Sequence, residues 1–160
     1  MNRGIWLVAA LALVVGGGCT KPYGDRVERV SADDAVMNAA IARARATVGT
    51  FETALRAPKA SQSRFSLKIR IADGDNGEHF WLSDVRFDGA VFSGNIANDP
   101  DMVTTVTVGQ AVSARPAEIS DWMYVDHGKL VGGYTLRVLR DRFSPADRAE
   151  FDRTRPFKVE

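Results

Sequence analysis

The chain has 160 residues, with 21 Lys and Arg against 20 Asp and Glu, a formal net charge of +1 and 45% hydrophobic side chains. That size and composition suit one globular domain around one core. The charge balance offers no basic excess for nucleic acid or anionic lipid, and the single Cys excludes an internal disulfide.

The chain opens "MNRGIWLVAALALVVGGGCTKPYG". Arg3 makes a positive start, Ile5 to Val15 is an apolar run, and Gly16-Gly17-Gly18 precede Cys19. The run is shorter than the ~20 apolar residues of a spanning helix, so residues 1–18 read as a secretory signal. A lone Cys just after the small residues makes sense as the lipidated first residue of a bacterial lipoprotein, which "VGGGC" resembles, although Gly16 stands where Leu is commonest. A plain cleaved signal and an uncleaved anchor are the alternatives. Thr20, rather than Asp, follows the Cys, and by resemblance to enterobacterial sorting this favours the outer membrane. Residues 19–31 read as anchor and tether, and residues 32–160 as one globular domain. Removing residues 1–18 takes away Arg3 and leaves 20 basic against 20 acidic side chains. The expected location is the cell envelope, facing the periplasm.

Asp33 to Arg56 reads as one long helix. Met37, Ile41, Ala44, Val48, Phe51 and Leu55 recur at steps of three and four, Ser31 can cap the start, and Pro58 marks the end. The period then becomes two. In "RFSLKIRIA", Phe65, Leu67, Ile69 and Ile71 alternate with Ser66, Lys68 and Arg70, as in a half-buried strand. "DGDNG" is a turn, "EHFWLSDVRF" a second strand, and Asp88-Gly89 a hairpin turn into "AVFSGNIA". "TTVTVGQAVSA" reads as extended segments broken by Gly109, and "EISDWMYVD" as a further strand ending in the turn "DHGK". From Gly133 helix and strand compete, with helix favoured. Ser144-Pro145 opens a last helix. A long N-terminal helix, an antiparallel sheet of about 4–6 strands and one or two short C-terminal helices make an α+β fold.

Several of these landmarks, "EHFWL", "FSGNIANDP", "VGQAV", "DWMY" and "GKLVGGYTLRVL", occur in an order that resembles the YegJ-like family of bacterial proteins. The likeness spans about residues 37 to 151. It implies that these segments share one fold, and it brings no catalytic assignment, because the family has none to carry over.

The residues themselves offer few sites. "HGKL" lacks the glycine-rich lead of a phosphate loop, and no G-x-S-x-G surrounds any Ser. Two His cannot complete a four-ligand zinc site without carboxylates, so no metal and no cofactor is expected. "DGDNGEHFWLSD", Asp73 to Asp84, places acids at positions 1, 3 and 12 of a calcium-type loop. It has Glu78 where that loop needs Gly, and is read as a hairpin. His79 could be a general base oriented by Asp121, with Glu78 a further catalytic candidate, or simply a strand-end His bonded to a turn carbonyl. Trp81, Trp122 and Tyr124 could form a ligand platform or pack the helix onto the sheet. Asp121, among apolar neighbours, must find backbone N–H groups or an Arg such as Arg137. The favoured reading is a lipid-anchored envelope module that binds a protein or small ligand through a sheet edge or the Trp81/Trp122 region. The alternatives are a small hydrolase using His79 and an immunity-like or inhibitor protein.

Overall fold

The computed structural model describes residues 33–160 and, of residues 1–32, only the backbone of Ile5–Ala9 and Val27–Ser31. The rest of the signal-like segment, Cys19 and most of the expected tether lie outside the described residues. Ile5–Ala9 (β1) and Val27–Ser31 (β2) pair antiparallel, from Ile5↔Ser31 to Ala9↔Val27. Apolar residues suited to a signal also suit a strand, and β1 lies parallel to the sheet at Leu7↔Glu78 and Val8↔His79.

The domain proper begins with Ala35–Ala46 (α1) and Val48–Arg56 (α2). The single helix expected over 33–56 is therefore two, divided at Thr47. Its backbone is at φ −112° and ψ 8°, and its hydroxyl bonds back to the Arg43 carbonyl at 2.8 Å. The same hydroxyl meets the Tyr134 phenol oxygen at 3.1 Å, which ties the break to a distant helix. Asp34, not Ser31, caps α1. Its carboxylate accepts the Met37 N–H at 3.0 Å, and hydrogen bonding to Arg142 pulls it down to about 2.

Six strands follow: Gln62–Asp73 (β3), Asn76–Phe87 (β4), Phe92–Ile96 (β5), Ala111–Ala114 (β6), Ile119–Asp126 (β7) and Lys129–Gly132 (β8). They form an antiparallel sheet in the order β6-β5-β4-β3-β7-β8. Tyr134–Arg142 (α3) and Pro145–Thr154 (α4) complete an α+β fold. Residues 134–142 are thus helical. Ser144 caps α4 as its sequence position suggests, accepting the Asp147 N–H at 3.1 Å.

The sheet buries both faces. On one, Leu67, Ile69, Phe80, Leu82, Phe92, Ile119 and Trp122 meet Ala44, Phe51 and Ala54 of α1 and α2. On the other, Trp81, Met123 and Val125 meet Leu136 of α3, Phe151 of α4 and Phe157. The half-buried strand expected for β3 is a correction here: Ser66 and Lys68, assigned to solvent, are buried. The C-terminal helices have an apolar side of their own to hide, and the second face of the sheet covers it.

Of the extended segments expected over 104–114, the part after Gly109 forms β6 at Ala111–Ala114, and the part before it does not form a strand. Residues 102–110 run as an irregular loop whose Val103 and Val106 plug the core. Two carboxylates hold it. Glu78 accepts the N–H groups of Asp101, Met102 and Val103, and Asp73 accepts the N–H and hydroxyl of Thr104 at 2.9 and 2.8 Å. With its amides spent on these side chains, the segment has few left for a ladder.

Candidate functional site

The candidate residues fall at the centre of β4 and β7, where the side-chain alternation of the strands sorts them. Glu78 and His79 point to opposite faces. Glu78, fully buried, is committed to the loop amides. His79 lies on the face covered by α3 and α4, and its Nδ1 is 2.8 Å from Ser120 Oγ, with both residues buried. The pair expected from sequence, His79 with Asp121 or Glu78, is not assembled. Among the described residues the partner of His79 Nδ1 is a hydroxyl. Burial, then the charges of Lys68, Arg70 and Arg45, push the imidazole down to about 3. A general base must stabilise the proton it takes. The Arg70 and Arg45 cations near this ring do the opposite, and a proton on Lys68 adds to them, unlike the carboxylate of a catalytic triad.

Asp121 caps α3 from the side. Tyr134 and Thr135 donate their N–H groups to its carboxylate at 3.0 and 2.8 Å, and Trp122 N–H donates at 2.9 Å. The Thr135 hydroxyl adds a bond of 2.6 Å. Burial pushes the pKa of this carboxyl up, and the bonds from Thr135 and Trp122 and the charge of Lys68 oppose that rise only in part. Gly133, at φ 63°, turns the chain so that the first amides of α3 face the acid. Of the two partners anticipated for Asp121, backbone N–H groups are the ones found. Arg137 instead donates to the carbonyls of Gly132, Leu130 and Glu160.

Beside Asp121 in the ladder, Lys68 is 1% exposed. Its Nζ lies 3.3 Å from Thr135 Oγ1 and 5.1 Å from the centre of the Trp81 ring. Sequence reasoning missed Lys68, Ser120 and Thr135. The available signal was the apolar side of α3 and α4, which needed a second sheet face to rest on.

Trp81, Trp122 and Tyr124 are at most 6% exposed and present no ligand platform. The packing alternative is the one found. Trp122 Nε1 donates to the Ala44 carbonyl at 2.9 Å, and its ring meets Phe51 and Tyr124 at 5.7 and 6.2 Å between centroids. Asp73 ends β3 and Asp84 lies near the far end of β4, so the two acids do not share one loop, and among the described residues no cluster of three metal-ligating side chains occurs.

The sheet edges differ. The outer side of β8 is closed by the C-terminal tail, through Leu130 N–H to the Lys158 carbonyl and Lys158 N–H to that of Gly128, both 2.9 Å. Among the described residues no strand pairs with the outer side of β6. The Gln110 carbonyl receives the Ile96 N–H, so the alternation of an antiparallel ladder turns the backbone groups of Ala111 and Ser113 outward. Both residues are exposed. Next to this edge a shallow groove is lined by Asp84, Arg86, Ser93, Gly94, Asn95 and Ala111. Asp84 stands at φ 51° in the β4 bulge, its carboxylate bonded to Ser83 and Asn95.

Residues 34–158 match the family model described as "Uncharacterized protein conserved in bacteria (DUF2314)". The chain is 39% identical over 107 residues to "Uncharacterized protein YegJ" of Escherichia coli (strain K12), covering 67% of this chain and 69% of that protein. It is 38% identical over 80 residues to "Putative ankyrin repeat protein NMB1133/NMB1171" of Neisseria meningitidis serogroup B. That match covers 50% of this chain and only 32% of the longer protein. No solved structure matches. A match over almost the whole domain places the chain in the DUF2314 family of bacterial proteins.

Proposed function

We propose that the domain is a binding module of the bacterial cell envelope, tethered by a lipid on Cys19, that takes an extended segment of an envelope protein along β6. The observation that carries this reading is the open edge: Ala111 and Ser113 offer unpaired backbone donors and acceptors beside a polar groove. A peptide added as a strand would satisfy those groups, and Arg86 and Asn95 would read its side chains. The β8 edge is sealed by the tail, so within the antiparallel sheet of β3 to β8 the open side among the described residues is that of β6. The anchor rests on the "GGGC" box and the apolar run before it. The hydrolase reading gains a hydroxyl beside His79, but the surrounding cations oppose the imidazolium that such chemistry needs. The test is a photo-crosslinking amino acid placed at Ala111 or Ser113 in intact cells, with exposed Ala149 on α4 as control. Capture of a discrete partner at the edge and not at the control supports strand addition. Equal capture at all three positions contradicts it.

A further inference from the structure

Lys68 sits at the middle of β3, where an exposed lysine would ordinarily reach water. Its ammonium would carry three donors, and the acceptor beside it is Thr135 Oγ1 at 3.3 Å. The Trp81 ring fills a second side. The Thr135 hydroxyl passes on to Asp121 at 2.6 Å, so amine, hydroxyl and carboxylate form a chain joining β3, α3 and β7. Besides Asp121, the titratable neighbour of Lys68 is His79 on β4, whose ring also feels Arg70 on β3 and Arg45 on α1. From the helical layer come Thr135 and Leu136 of α3, Phe151 of α4 and Phe157 of the tail, with the Arg155 guanidinium over Phe151. One negative charge therefore faces Lys68, and four other donors already engage it. A neutral amine fits this setting. An ammonium is short of acceptors, and a swing of α3 away from the sheet would let it reach water.

We propose that Lys68, Thr135 and Asp121 form a proton-responsive latch between the sheet and α3, closed when the amine is neutral and loosened when it takes up a proton. Burial pushes Lys68 down to about 7 from the ordinary 10.5, with the charge of Asp121 pulling the other way. An opening that wets Lys68 therefore takes up one proton between about 10.5 and about 7. The stability supplied by the neutral amine is complete above that window and is lost as pH falls through it. His79 stays neutral over the same range and adds no slope. For one coupled proton, the opening equilibrium of α3 rises about tenfold for each pH unit of acidification. The latch stands independently of partner binding at β6.

The test is amide hydrogen exchange of residues 134–142 in the full chain at pH 9, 8 and 7, corrected for intrinsic rates. Alongside it, an NMR titration of the Lys68 ε-carbon is recorded in lysine-labelled protein. Protection in α3 should fall about tenfold per pH unit. Lys68→Met, close to the same shape without the amine, should remove that slope. The Lys68 resonance should titrate near neutrality. Protection independent of pH, an unchanged slope in Lys68→Met, or a Lys68 resonance titrating with the surface lysines would each overturn the latch. The titration uses the unaltered protein and decides even if the variant does not fold.

Discussion

Replacing Asp121 with Ala removes one carboxylate and leaves four donors without their acceptor: the N–H groups of Trp122, Tyr134 and Thr135 and the Thr135 hydroxyl. Three of these four bonds are buried, where an unsatisfied donor costs about 1–3 kcal/mol. Lys68 also loses the negative charge that faces it. Relaxation and entry of water reduce a simple sum, which leaves a loss of about 3–6 kcal/mol, a large part of the ~5–15 kcal/mol that holds a domain folded. At roughly 3–5 °C per kcal/mol for a chain of this size, the midpoint should drop by at least ~10 °C. Asp121→Asn keeps the shape and one acceptor oxygen, and should lie between Asp121→Ala and wild type. Thermal and urea unfolding followed by circular dichroism measure both. A variant Asp121→Ala that melts within a degree or two of wild type refutes the capping role.

Phe51→Ala, at a fully buried ring touching Phe65, Phe92 and Trp122, should cost about 3–5 kcal/mol in urea unfolding. Gly132→Ala should cost more than ~2 kcal/mol in the same assay. Its φ is +73°, and a Cβ there would lie 2.3 Å from the Trp122 carbonyl oxygen, a backbone atom with little room to move. His79 is buried neutral, with its pKa lowered from 6.5 to about 3, so the stability it supplies is complete above 6.5 and is lost as pH falls towards 3. His79→Gln should therefore flatten the acid limb of the stability–pH curve, by an amount on the order of several kcal/mol, as read from denaturant midpoints between pH 7 and 3. Labelling cells with a fatty-acid analogue should mark the wild type and not Cys19→Ala.

Much of the fold was legible because each segment carries its own local signal. The period-two patterns of β3, β4 and β7, the Asp88-Gly89 turn and the Ser144-Pro145 start of α4 are written in neighbouring residues. What was illegible depends on contacts between distant segments. The break at Thr47 involves Tyr134, 87 residues away. The burial of Lys68 follows from helices that begin more than sixty residues later, and no alternation pattern within β3 can report it. The loop at 102–110 has strand-like composition, yet Glu78 and Asp73 take the amides that a ladder would use. Alternation along β7 by itself puts Trp122 and Tyr124 on one face. That their face is the core needed only the stripe of α1 and α2 to lie across it.

Strand addition at β6 is tested most directly by a proline at Ser113. Its N–H points away from β5, so the substitution removes an outward donor and places a ring on the open edge without touching the β5–β6 bonds. Cells carrying the photo-crosslinking residue at Ala111 are compared with and without Ser113→Pro, and both proteins are melted. The account predicts unchanged melting and loss of the crosslinked partner in the proline variant. The same partner captured at the same yield from both would contradict binding by strand addition at this edge.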